Sequence, residues 1–403
     1  MLIQFTVSNY LSFKEPIAFS MMATDLTSKF NKLDENNVFK INDKLSLLKS
    51  AAVYGANGSG KSNLLGAMAF MRWFVLNSSK ETKVTDLIDV EEFRLSSETE
   101  GKPSFFEIVF ILDGRVYRYG FEVDKKRVVS EWLFHVTKIN ESNMLFDRDG
   151  QYIEMTNLFK EGNAIAKQTK DTALFLSVNA ERNGTISTKI LLWFENKFNL
   201  ILLEKKLQIN NSKKIQSKKD IVKLIKELDL SIDDIKVGDN YPNNVKIVRK
   251  SFDSQGKVAS EKIFDLAKNE SAGTKKLFAL AVPIINALKK GGVLGIDEFD
   301  VRLHPLIARA IINLFDSKES NPQNAQLIIM TYNTNLLSNE MFRRDQIWFL
   351  EKNRQSASDL YSLVEFKIEN DANLEKDYLK GRYGAIPFIK NLSKLFGDEH
   401  GGK

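Results

Sequence analysis

No cysteine occurs in this chain of 403 residues, so no disulfide and no thiolate-bound metal is possible, and a reducing interior is the expected home. Histidine is nearly as scarce, with three in the chain, and together with the missing thiols this gives a zinc hydrolase poor support. Long apolar runs are missing too. The longest, around Leu277–Leu288, is too short to span a bilayer. The N-terminus, Met1-Leu2-Ile3-Gln4-Phe5-Thr6-Val7, alternates as a strand does and lacks a charged leader followed by an apolar block. A cytoplasmic location without membrane contact is therefore expected. Neither an internal repeat nor sustained heptads are present, which excludes a long coiled-coil arm. Charge of neither sign dominates: a net +6 tolerates nucleic acid as a partner without demanding it. The 43% hydrophobic content is that of a soluble globular protein, and the length suffices for two or three packed units.

Against these absences stands one dense motif. Residues 55–62 read Gly-Ala-Asn-Gly-Ser-Gly-Lys-Ser, a full phosphate-binding loop of the form G-x-x-x-x-G-K-[ST]. The apolar stretch Ala51-Ala52-Val53-Tyr54 precedes it, and the helix-compatible stretch Asn63-Leu64-Leu65-Gly66-Ala67-Met68 follows. In that context Gly55, Gly58 and Gly60, with Asn57 and Ser59 between them, let backbone N–H groups turn inward around phosphates at the positive end of the next helix, where Asn63 lies. Lys61 would reach the β- and γ-phosphates and Ser62 would ligate Mg²⁺. The chain is expected to bind a nucleoside triphosphate.

A second element, Val293-Leu294-Gly295-Ile296-Asp297-Glu298, is an apolar strand ending in two carboxylates. Asp297 suits the surroundings of the Mg²⁺ ion, and Glu298 is placed to polarise an attacking water. Residues 63 to 296 separate the two elements, more than a compact P-loop domain needs, so something is inserted. Residues 86–156 are β-rich, with an Asp113-Gly114 turn between two alternating runs marking a hairpin. Residues 157–244 read as helical and carry a lysine-dense patch: Lys213, Lys214, Lys218, Lys219, Lys223 and Lys226. Strands return from Val245 and lead to Glu270-Ser271-Ala272-Gly273-Thr274, a small-residue turn opening an apolar helix with Ser271 as its N-cap and Gly273 leaving the backbone bare. This turn is either an ordinary cap or a second anion site. Since the chain's own loop already holds the phosphates, a second site makes sense if it faces the γ-phosphate bound by another copy.

These residues resemble the ABC-type heads of the SMC, RecF and OLD ATPases. Finer features make the chain similar to bacterial AAA-family ATP-binding proteins of the abortive-infection and RloA type: Asn9-Tyr10-Leu11-Ser12-Phe13, the Glu-Ser-Ala-Gly-Thr turn, Phe299-Asp300-Val301-Arg302-Leu303-His304-Pro305, and Gly381-Arg382-Tyr383-Gly384-Ala385-Ile386-Pro387. The resemblance implies an α/β fold, a P-loop NTPase with an ABC/SMC-like head plus an inserted β-rich and helical region. Residues 1–85 and 245–403 would form the discontinuous head, 86–156 a β-rich insertion of head or lobe, and 157–244 a helical lobe. It further implies a head-to-tail pair with two ATP molecules at the interface. Ser271 and Gly273 would complete the partner's site, and Asp300 would sense it.

One position departs from that pattern. After the strand Gln326–Met330, relatives carry Thr-His; here Thr331-Tyr332-Asn333 stands, and Tyr332 brings a phenol with neither a cation nor an easily shuttled proton near neutral pH. Slow hydrolysis and a long-lived ATP state are the expectation. Simpler readings hold elsewhere: His304, ahead of Pro305, reads as a helix cap before a catalyst. The lysine patch alternates with Ile221, Val222, Leu224 and Ile225 and reads as a solvated face before a nucleic-acid site. Arg382, between Gly381 and Gly384, reads as a turn residue before a nucleotide contact. Too few residues follow the last ATPase strand for a Toprim nuclease, so a separately encoded effector, such as a nuclease, is the expected partner of an anti-phage ATPase. The alternative is a RecF-like DNA-repair ATPase whose DNA binding strengthens with ATP and weakens with salt.

Overall fold

The computed structural model describes residues 1–81, 87–138, 141–202, 218–229, 231–238, 244–369 and 372–389. At its centre lies a six-stranded sheet in the spatial order Phe198–Ile201, Val293–Ile296, Gln326–Met330, Ser50–Tyr54, Ile347–Lys352, Ser358–Ser362. The first five strands are parallel and the last is antiparallel to its neighbour. Ser50–Tyr54 and Gln326–Met330 are buried at every position, as parallel strands covered on both faces must be. Because side chains alternate along a strand, Ala51 and Val53 enter one hydrophobic core while Ala52 and Tyr54 enter the other.

The helix Lys61–Glu81 fills the first core, and the helices Ala272–Lys290 and Pro305–Asp316 fill the second. Leu64, Leu65, Met68, Phe70, Met71, Phe74 and Val75 are all buried on Lys61–Glu81, too many for a helix covered on one side. Its other cover is a seven-stranded antiparallel sheet ordered Tyr152–Met155, Glu141–Asp149, Val128–Lys138, Arg115–Val123, Ser104–Leu112, Leu2–Ser8, Ile17–Ser20. Phe70 meets Phe106 at 5.0 Å and Phe74 meets Phe121 at 5.5 Å between ring centroids. The hairpin read from Asp113-Gly114 is present. Both residues adopt positive φ (51° and 74°), the two-residue turn whose twist matches its strands. Strands of the 86–156 stretch pair directly with the N-terminus, Phe5 opposite Ile108, so one sheet joins both.

Two local expectations differ from the structure. The stretch 157–244 contains strands as well as helices: Phe198–Ile201 is the edge of the central sheet, and Asp234–Val237 pairs with Val245–Phe252 in a three-stranded sheet completed by Val258–Asp265. A four-residue apolar run has no period long enough to separate strand from helix, and pairing with Val293–Ile296 decides it. The last strand, which the sequence reads as residues 359–366, ends at Ser362 because a reciprocal cap stops it: the Ser362 hydroxyl accepts from Val364 N–H and the Glu365 carboxylate accepts from Ser362 N–H. Lys213 and Lys214 lie outside the described residues. Lys218, Lys219, Lys223 and Lys226 sit on the helix Lys218–Leu228, whose Ile221 and Ile225 are buried. No helix among the described residues is long and apolar enough to cross a membrane.

Candidate functional site

The parallel strands Ser50–Tyr54, Val293–Ile296 and Gln326–Met330 end at one edge of the sheet, the edge where open α/β sheets hold ligands. From Tyr54 the chain enters the loop Gly55–Gly60 and leaves it as the helix Lys61–Glu81. Glycine is forced at three loop positions. A Cβ on Gly55 would lie 2.3 Å from the Leu350 carbonyl oxygen, and one on Gly60 would lie 2.4 Å from Ser358 Oγ and 2.9 Å from Ser12 Oγ. Gly58 and Gly60 have φ of 74° and 111°. The buried Ser59 hydroxyl has no hydrogen-bond partner among the described residues. An orphaned hydroxyl in a glycine-lined cradle at the start of a 21-residue helix fits a polyphosphate.

Lys61 folds back over this cradle. Its Nζ donates to the carbonyls of Gly55 (2.6 Å) and Ala56 (3.0 Å) and lies 3.8 Å from the centroid of the Tyr332 ring. Burial pushes its ammonium down to about 8, and the carboxylates of Asp297 and Glu298 oppose that fall. An arriving triphosphate would add negative charge that holds the proton on more firmly.

Asp297 is buried at the end of Val293–Ile296. Its N–H donates to Ile201 O at 2.9 Å, and its Oδ1 accepts from Glu298 N–H at 3.0 Å. Glu298 is less buried and takes a φ of 43°, an uncommon conformation for a residue with a side chain. One strand over, the Thr331 hydroxyl donates to Asp300 Oδ1 at 2.5 Å and accepts from Asn333 N–H at 3.0 Å. The Tyr332 phenol is pushed up by burial first, then by Glu298, Asp297 and Asp300. Lys61, Asp297, Glu298, Asp300 and Tyr332 thus share one electrostatic neighbourhood.

The remaining candidates lie elsewhere. Ser271 caps the helix Ala272–Lys290, its Oγ accepting from Thr274 N–H at 3.1 Å. A Cβ on Gly273 would lie 2.6 Å from Arg302 O, so its bareness is required by the chain's own 297–302 turn. Among the described residues no hydrogen bond joins Ser271 or Gly273 to the phosphate loop of the same chain. His304 caps the helix Pro305–Asp316 through Nδ1, which accepts from Leu306 N–H. Arg382 is exposed and pairs with Asp377 at 3.1 Å, in a turn where Gly381 and Gly384 have positive φ. Ser12 and Ser358 received no role from the sequence, yet they brace the loop. Ser358 Oγ lies 2.6 Å from Ser59 O and 2.8 Å from Ser12 Oγ, and Ser12 Oγ also accepts from Asn63 Nδ2 at 2.8 Å. Asn9 and Leu11 turn the chain at Ser12 with positive φ (47° and 49°), which asparagine favours but which is not written in a leucine.

Residues 50–338 match the family model described as "AAA domain, putative AbiEii toxin, Type IV TA system". Among solved structures the chain is similar to an SMC head domain from Thermotoga maritima, at 14% identity over 91% of this chain and 99% of that one, with a TM-score of 0.42. It is also similar to an SMC head bound to the C-terminal winged-helix domain of ScpA, at 15% identity over 90% and 97% of the two chains, with a TM-score of 0.41. Among curated proteins none matches.

Proposed function

The chain belongs to this AAA-domain family of P-loop ATPases, and from that premise we propose that it is the ATP-binding and ATP-hydrolysing sensor of a bacterial anti-phage (abortive-infection) defence system, pairing its heads around ATP and controlling a separately encoded effector. One observation carries the ATPase reading: the Gly55–Ser62 loop, Asp297 and Glu298 meet at one edge of the central sheet, where its strands are parallel, with Lys61 in the field of both carboxylates. Ser62 and Asp297 would hold Mg²⁺, which supplies neutralisation of charge on the β- and γ-phosphates. Glu298 would orient and deprotonate the attacking water. Lys61 would release its own loop carbonyls and bind the phosphates instead. Tyr332, in place of a histidine, supports slow turnover, because a phenol pushed further up by burial and then by its carboxylate neighbours does not exchange protons near neutrality.

The exposed cap Ser271, at the start of the helix Ala272–Lys290, supports the pairing: among the described residues no hydrogen bond ties it to its own chain's phosphate loop, and this helix start faces solvent, where a second copy can meet it. The family description names a "putative AbiEii toxin" and a "Type IV TA system", which supports the defence reading. The test is steady-state ATPase turnover of the wild type against Glu298→Gln, with mass measurement in the presence of ATP. The expected result is a loss of turnover of about a hundredfold in Glu298→Gln with the ATP-bound pair retained. Equal turnover in the two proteins would remove the ATPase reading. Co-purification of neighbouring gene products from the native operon tests the effector.

A further inference from the structure

We propose that Lys276 is a positioning residue that ties the Ser271–Gly273 turn to Glu298 of the same chain, so that the start of this helix sets the geometry of the chain's own general base. The inference rests on the reading of Glu298 as that base and of Ser271–Gly273 as the contact to a second copy's phosphate.

Lys276 lies one turn into the helix Ala272–Lys290, and its Nζ donates to the Glu298 carbonyl oxygen at 2.5 Å. That carbonyl belongs to a residue at φ 43°, and its other acceptor bond is from Val301 N–H at 3.2 Å. Four residues on, Arg302 also has positive φ (68°), and its carbonyl oxygen is the atom that a Cβ on Gly273 would meet at 2.6 Å. The first turn of one helix therefore touches both ends of the 298–302 turn, through a side chain at Glu298 and through bare backbone at Arg302. Both ends are in conformations that persist only where the surroundings hold them. Asp300, Glu298, Asp297 and Arg302 surround the ammonium; burial pushes it below its ordinary value while the three carboxylates oppose that. Within a helix, Gly273 and Lys276 keep a fixed backbone separation, so a displacement of the turn by a partner's phosphate would carry Lys276 with it and pull on the Glu298 carbonyl through the Nζ hydrogen bond.

The full-length protein tests this with Lys276→Met, which keeps the apolar stem, and Lys276→Arg, which keeps a donor. Lys276→Met is expected to lower kcat for ATP by about tenfold or more, leaving KM and ATP-dependent pairing within about twofold, and Lys276→Arg is expected to recover most of kcat. Wild-type kcat in Lys276→Met, or failure of Lys276→Arg to recover any activity, would overturn the proposal. If Lys276→Met does not fold, Lys276→Gln is read against the same criteria. Wild type and Glu298→Gln are measured alongside. A wild type no faster than Glu298→Gln overturns the ATPase reading and this inference with it, whereas a clear difference between them with normal Lys276→Met overturns the coupling alone.

Discussion

The Tyr332 ring lies over the Lys61 ammonium, 3.8 Å from nitrogen to ring centroid. With Gly55 O and Ala56 O as its other partners, the lysine is satisfied from within its own chain, and a triphosphate must displace those contacts. A partly buried cation–π contact is worth about 0.5–2 kcal/mol. Tyr332→Ala should therefore tighten the affinity for a non-hydrolysable ATP analogue by about two- to thirtyfold, while Tyr332→Phe, which keeps the ring, should stay within about twofold of wild type. Fluorescence titration of the three proteins checks this. Weaker binding in Tyr332→Ala would mean that the ring serves the nucleotide and not the empty loop.

Two glycines six residues apart, Gly60 and Gly66, should behave oppositely. Gly60 has φ 111°, and a Cβ there meets Ser358 Oγ and Ser12 Oγ, so alanine must either push the bracing serines away or distort the loop. Gly66 lies inside the helix Lys61–Glu81 with nothing within 4 Å of an added Cβ. Gly60→Ala should abolish ATP-analogue binding and cost about 1–3 kcal/mol of stability, whereas Gly66→Ala should bind normally and gain about 0.5–1 kcal/mol from helix propensity. Thermal unfolding and a binding titration on both variants decide the matter.

What could be read in advance was local. The phosphate loop declares itself because the constraint on Gly55, Gly58 and Gly60 falls on those residues' own backbones, and Asp113-Gly114 specifies its hairpin for the same reason. Asp297-Glu298 was visible because acids closing an apolar strand contradict burial unless they serve a site. The bracing of the loop was not visible: Ser12 and Ser358 are 346 positions apart, and a serine pair carries no periodicity. Lys276 was equally silent, since Lys275-Lys276 at a helix start reads as solvated charge until the fold brings Glu298 against it. The edge strand Phe198–Ile201 owes its state to the neighbour it pairs with, which no four-residue window contains.

A buried ion pair holds the antiparallel sheet to the helix Phe175–Glu181. Glu131 accepts from Phe175 N–H (2.6 Å), Leu176 N–H (3.0 Å) and Tyr119 OH (3.0 Å), with Arg148 Nη1 at 3.6 Å, and both charged side chains are fully buried. It thereby caps a helix whose N-cap residue, Leu174, has no side chain able to do so. Arg148 also donates to the carbonyls of Gly150 and Ala173, each at 2.7 Å. Glu131→Ala would strand the guanidinium and two amides at once, at a cost of about 3–5 kcal/mol, read as a lowered midpoint in urea. A loss under about 1 kcal/mol would mean that water or Tyr119 replaces the carboxylate.

Asp316 should make stability depend on pH. It closes the helix Pro305–Asp316, where its Oδ1 accepts from the Ser50 hydroxyl at 2.7 Å and its buried Oδ2 has no partner among the described residues. Burial pushes its carboxyl from 3.8 up to about 7, against the pull of the Ser50 hydrogen bond and of Lys49. Between those two values the folded state holds a proton that the unfolded chain has lost, so this group's contribution is complete below pH 3.8 and disappears as pH rises through about 7. The N-terminal amine of Met1, which burial pushes down to about 5, contributes a slope of the opposite sign, so the wild-type profile alone does not isolate the effect. The difference between Asp316→Asn and wild type does. The variant should gain on wild type by about 2–3 kcal/mol between pH 5 and 8, measured by urea unfolding at several pH values. Because Ser50 opens the strand that feeds the phosphate loop, ATP-analogue affinity measured at the same pH values shows whether the strain reaches the site. A difference that stays flat across the range would mean that Asp316 is ionised throughout and that Lys49 stabilises it more than burial opposes it.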